Sequence, residues 1–258
     1  MRPGFARFKR TSFYRMLRAL RYARNPPSWY SQEQNEVHFY SQFIKSGSLC
    51  FDIGANVGIK TRFFRLLGAR VVAVEPGAVA AQQFATAFDH DAQVVLVRKA
   101  LGSVSGVATL HIGDTSTTST LSESWQIRAQ ATQRLQGRQW VGAVQVPVTT
   151  LDHLIGEYGI PDFCKIDVEG FEVEVLRGLS HPLPALSFEF QPETLEATFD
   201  AVDRLSLLGL YRYNYSLSSP LKLELSAWTD DTGIKTELTK AFQPGVEVWG
   251  DVYATEAQ

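Results

Sequence analysis

The 258-residue chain is short of cysteine, with only Cys50 and Cys164. That excludes a disulfide framework and a cysteine-rich zinc site. Each cysteine sits in an apolar run that reads as strand, which fits a reducing compartment. No stretch approaches the roughly 18 consecutive apolar residues of a spanning helix. The N-terminal region also lacks the apolar core of a secretory signal, so the expected location is the cytoplasm. Neither charge is in excess, with 25 Lys and Arg against 27 Asp and Glu. The chain as a whole is therefore not built to wrap polyphosphate, and nucleic acid is not the expected partner. What is abundant is apolar material, 45% of residues, enough for a conventional core and too much for a disordered chain.

Acidic residues are missing altogether before Glu33, whereas Arg2, Arg7, Lys9, Arg10, Arg15, Arg18, Arg21 and Arg24 precede it. Phe13, Met16, Leu17 and Leu20 recur between these bases at helical spacing, predicting an amphipathic helix with a basic face. Three readings stand for residues 1–25: packing against the body, peripheral contact with an anionic membrane surface, or contact with nucleic acid. The Asn25-Pro26-Pro27-Ser28 stretch breaks the chain. Residues 1–30 are thus expected to form a basic arm, and 31–258 one domain. Ser31 or a neighbour is expected to cap a second helix running to about Lys45.

From Ser48 onward, strands and helices alternate, which predicts a mostly parallel sheet covered on both faces. Strands are expected near 49–53, 70–75, 94–97, 163–167, 185–190, 210–215 and 248–254. Residues 106–112 and 140–148 read as added strand. Residues 113–124 read as a Ser/Thr-rich loop too polar for core. The 216–245 connection, with Pro220, Trp228, Asp230 and Asp231, reads as a hairpin-like insertion over the site. No internal repeat is found.

The chemistry concentrates at strand ends. Phe51-Asp52-Ile53-Gly54-Ala55-Asn56-Val57-Gly58 is an apolar strand ending in an acid, then a glycine turn into a helix. Ligands of open α/β sheets bind at such ends, where glycine permits close approach and helix-start amides hold an anion. The segment lacks the G-x-G-x-x-G of dinucleotide folds, having no glycine at 56. Asp52 would repel a pyrophosphate, yet it suits an amino group and a sulfonium cation. S-adenosylmethionine carries both, plus a carboxylate for the amides. Glu75, about 20 residues beyond the turn in Val74-Glu75-Pro76, is placed to accept both ribose hydroxyls. A third strand end, Lys165-Ile166-Asp167-Val168-Glu169-Gly170, brings more carboxylates to the same edge. An acid there needs a partner. Glu172 and Glu174 read either as part of this site or as helix-start acids favoured by the macrodipole.

These motifs resemble the FkbM family of S-adenosylmethionine-dependent methyltransferases. The resemblance runs from about Glu36 to Thr255 and rests on Asp52-Ile-Gly-Ala-Asn-Val-Gly58, Val74-Glu-Pro76, Ala100-Leu-Gly102, Thr150-Leu-Asp152 and Lys165-Ile-Asp-Val-Glu-Gly170. Trp249-Gly-Asp-Val-Tyr-Ala254 is similar to the family's closing strand. The resemblance implies a Rossmann-like class I methyltransferase fold: a seven-stranded, mostly parallel sheet with an antiparallel last strand, helices on both faces and extra N-terminal helices. It implies a cofactor site of Asp52, Gly54, Ala55, Asn56, Gly58, Glu75, Pro76 and Asp167, with Ala100 and Leu101 near adenine. It also implies an O-methyltransferase acting on a hydroxyl of a sugar, natural product or glycolipid-like small molecule.

Transfer to oxygen is an in-line displacement that also removes the hydroxyl proton, so a general base is needed. Asp167, Glu189 in Ser187-Phe-Glu-Phe190, and Glu169 are the candidates, with His38, His153 and His181 behind them. The same three carboxylates could instead hold a divalent metal that activates a diol, though none is expected from such scattered ligands. Two further readings are an RNA methyltransferase that uses the basic arm, and a non-catalytic partner subunit that retains the cofactor fold.

Overall fold

The computed structural model describes residues 28–130, 137–218, 221–242 and 248–257. Its centre is a seven-stranded sheet in the order β3-β2-β1-β7-β8-β10-β9. In chain order these are β1 (Leu49–Ile53), β2 (Arg70–Val74), β3 (Val94–Val97), β7 (Phe163–Ile166), β8 (Ala185–Phe190), β9 (Tyr211–Leu217) and β10 (Gly250–Glu256). All neighbours run parallel except β10, which is antiparallel to both β8 and β9. This is the class I methyltransferase arrangement. Strand order reverses between β1 and β7, so a crevice opens at their carboxyl ends.

Successive residues of a strand point to opposite faces, and both faces here are covered. Phe51, Ile53, Val72, Ile166, Phe188 and Val252 meet α5 (Leu151–Tyr158), α6 (Glu172–Arg177) and α7 (Leu195–Leu208). On the other face Cys50, Val71, Phe163 and Tyr253 meet α1 (Ser28–Tyr40), α2 (Ile59–Leu66) and α3 (Ala78–Phe88) through Tyr40, Phe64 and Phe84. An insert between β3 and α5 builds a second sheet, β4-β6-β5, from β4 (Ala100–Leu101), β5 (Gly106–Gly113) and β6 (Trp140–Thr149), and carries α4 (Glu123–Gln130). The added strand expected at 106–112 and 140–148 is this antiparallel β5–β6 pair.

Three expectations need correction. The second helix begins at Ser28 and ends at Tyr40, short of Lys45, because tight turns from Tyr40 onward return Phe43 and Ile44 to the core. The 216–245 connection is not a simple hairpin: it contains α8 (Asp231–Ala241), capped by Asp230 through the Gly233 N–H at 2.8 Å. Its Ile234 and Leu238, four apart, are the helical signal that drives its burial. Trp228, on the same connection, packs edge-on against Phe43 rather than over the crevice. Finally, the Ser/Thr-rich loop is buried at Thr118, Thr120 and Ser122, because its hydroxyls satisfy backbone groups. Residues 1–27 of the expected basic arm lie outside the described residues, and 28–30 belong to α1. Among the described residues, no helix is long and apolar enough to cross a membrane.

Candidate active site

A cleft open to solvent lies at the ends of β1, β2 and β7. Gly54, Asn56, Glu75 and Pro76 form one side. Ala100 and Leu101 lie beside them, with Leu110, Leu121 and Phe171 adding apolar surface. Gly54 turns with φ 80°, and a Cβ there would stand 1.7 Å from the Asp167 carbonyl oxygen, so only glycine lets β1 and β7 end this close. Glu75 braces the turn. Its Oε2 accepts from the Asn56 N–H at 2.9 Å and its Oε1 from the Gly77 N–H at 2.6 Å. Burial pushes the Glu75 pKa up, and those two bonds oppose the rise.

The β7 and β8 ends supply the charge. One oxygen each of Asp167, Glu169 and Glu189 lie within 4.8 Å of one another, all half-buried. Like charges so close must be balanced by donors. Lys165, 2% exposed, supplies Nζ at 2.8 Å from Asp167 Oδ2 and 3.4 Å from Asp251 Oδ1. Gln191 Nε2 donates to Glu169 Oε2 at 3.2 Å and also to Glu189 Oε2. Burial first, then the charges of Glu169, Asp167 and Glu172, hold Glu189 well above the usual carboxylate range, with Lys165 opposing. Glu172 braces the loop below: its Oε1 accepts from the N–H of Val168 at 3.0 Å and of Gly170 at 3.3 Å. Burial pushes its own pKa up to about 7. Glu174, by contrast, pairs with Arg177 on the helix surface.

The methyltransferase FkbM domain model matches residues 52–217, which contain every one of these groups except Asp251. The chain belongs to the FkbM methyltransferase family. Among curated proteins none matches it in sequence. Solved structures similar to it include the precorrin-6y C5,15-methyltransferase of Geobacter metallireducens, at 10% identity and TM-score 0.46, covering 86% of this chain and 87% of that one. A TehB-like methyltransferase from Corynebacterium glutamicum shares 12% identity at TM-score 0.43, covering 95% and 96%. An rRNA methylase from Streptococcus thermophilus shares 11% at 0.43, covering 90% and 98%.

This FkbM protein is accordingly a methyltransferase dependent on S-adenosylmethionine, and the cleft fits that cofactor. Asn56 Oδ1 is buried with no hydrogen-bond partner, an acceptor on the cleft wall suited to a ligand N–H. Each Glu75 oxygen retains a lone pair for a ribose hydroxyl after serving its backbone amide. Replacing Glu75 by Ala is expected to weaken cofactor binding by about 2–3 kcal/mol, some 30- to 150-fold. Calorimetry with S-adenosylhomocysteine measures this, and an unchanged Kd would mean that the ribose is held elsewhere.

Not every expected site residue reaches the cleft. Asp52 is 2% exposed and absent from its walls; its Oδ2 accepts from Thr61 Oγ1 at 2.5 Å, tying β1 to α2. Burial raises its pKa, while Thr61 and Lys165 oppose the rise. Ala55 is buried behind the turn. Gly58, with φ 89°, makes room for Phe84 and Phe88: a Cβ would meet Phe88 at 2.4 Å, so its glycine serves packing. His38, His153 and His181 are exposed and none lines the cleft. The sequence reading missed Gln191, Asp251 and the role of Lys165. A lysine inside an otherwise apolar strand was the available signal for the last.

Proposed function

We propose that this methyltransferase acts on a hydroxyl of a small molecule, a sugar or a glycolipid- or natural-product-like acceptor. The observation that carries the reading is the carboxylate cluster of Asp167, Glu169 and Glu189 at the strand ends, bordering the cofactor cleft. A neutral alcohol must lose its proton as the new bond forms, and clustered carboxylates provide both a base and acceptors for neighbouring hydroxyls. S-adenosylmethionine, when bound, supplies the methyl group. The chain's own residues do the rest. Gly54 and Asn56 shape the turn, Glu75 orients the ribose, and the cluster aligns the hydroxyl and takes its proton, with Lys165 balancing Asp167. Holding the acceptor in line is itself a major source of rate.

Mass spectrometry of metabolites and lipids from cells with and without the gene tests the reading. The expected product is heavier than its precursor by one methylene and carries the methyl as an ether on oxygen. A product methylated on nitrogen or carbon would sink it.

A further inference from the structure

Gln191 directly follows β8 and is 1% exposed. The Trp125 indole Nε1–H donates to its Oε1 at 3.0 Å. An indole N–H can only donate, so this bond decides which end of the amide is oxygen. The Nε2 end must therefore face the cluster, where it donates to both Glu169 and Glu189. Trp125 is itself fully buried on α4, and its ring lies so close to Gly170 that a Cβ there would be 2.5 Å away. Two more bonds fasten the same insert to the site: Thr120 Oγ1–H to the Glu169 carbonyl and Arg128 Nε–H to the Glu193 carbonyl, each at 2.7 Å. None of these donors belongs to the main sheet.

We infer that Gln191 is a positioning residue for Glu169 and Glu189, its amide orientation fixed by Trp125, so that packing of the insert over the site sets the carboxylates in their working arrangement. The inference rests on the carboxylate-base reading for its catalytic meaning, but not for its geometry. Glu189 faces Asp167 and Lys165 from the β7 end, Glu169 and Glu172 from the following loop and helix, and Asp251 across β10. Gln191, through its amide hydrogen bond, and Lys165, through its charge, favour the ionised form of Glu189, and losing either raises the pH at which it ionises.

The test is the carboxyl-carbon NMR titration of Glu189 in the full chain, assigned by the disappearance of its signal in Glu189→Gln. In Gln191→Met the midpoint is expected to rise by about one pH unit, given the strength of a hydrogen bond to a charged group. Trp125→Phe, which keeps a ring on Gly170 but frees the amide, is expected to shift it the same way by less. Affinity for S-adenosylhomocysteine should stay within about twofold for both, since neither side chain lines the cleft. A residue that merely caps the turn after β8 would leave the midpoint where it is, and an unmoved midpoint in Gln191→Met overturns the inference. Should that variant not fold, the Trp125→Phe midpoint decides in the same way. If Glu189→Gln retains full turnover while the midpoints move, the base reading falls and the positioning role stands.

Discussion

Replacing Lys165 by methionine is expected to cost about 3–5 kcal/mol of folding stability, the range for removing one partner from a buried ion pair. Lys165 sits in the middle of the sheet, beside Asp52 in the β1–β7 register, and its Nζ reaches Asp167 and Asp251. Burial alone would lower its pKa, yet the charges of Asp167 and Asp251 outweigh that and hold it well above the usual lysine value. A group whose pKa is raised on folding stabilises fully below its unfolded value and loses that contribution only as pH rises through the folded one. At neutral pH the contribution is therefore complete. Methionine keeps the stem's packing but leaves the carboxylates unbalanced. Urea unfolding at pH 7 measures the loss, and a difference below about 1 kcal/mol, the level of an exposed pair, would show that the cluster is balanced by solvent. Adding Asp251→Asn should recover part of the loss if the two residues are coupled.

In the Asp167→Asn and Glu189→Gln variants, turnover is expected to fall by about 10²- to 10⁴-fold for whichever carboxylate is the general base, with far smaller changes in cofactor affinity. Both substitutions keep shape and remove charge. Asp167 lines the cleft whereas Glu189 does not, so a parallel loss of cofactor binding in the Asp167 variant would assign that residue to the cofactor and leave Glu189 as the base. The pH profile separates them further. A base must be ionised, and Glu189 is held well above the ordinary range by burial and its acidic neighbours. Turnover through Glu189 should therefore rise with pH along a limb that lies above that range and vanish in Glu189→Gln. Losses under about threefold in both variants, far below the general-base range, would leave positioning as the source of rate.

Much of this protein was legible in one dimension because its signals are local. Apolar runs of strand length placed β1, β3 and β8 at their observed bounds. The absence of a glycine at 56 and the acid at 75 pointed to a nucleoside rather than a dinucleotide. Since parallel strands all end at one edge, Asp167, Glu169 and Glu189 could be expected near each other from strand position alone, and they converge. Side-chain direction was not legible. Asp52 and Glu75 both end strands, yet Asp52 turns toward Thr61 while Glu75 faces the cleft, because adjacent residues of a strand point to opposite faces and the packing partner decides which is wet. The Ser/Thr-rich segment looked like solvent-facing loop. Hydroxyls can be buried wherever backbone groups await partners, and only the tertiary fold brings the 167–170 loop within reach of Thr120. The bond between Trp125 and Gln191 spans 66 positions of chain. No periodicity or spacing encodes such a pair; it exists because an insert folds back over the carboxyl edge of the sheet.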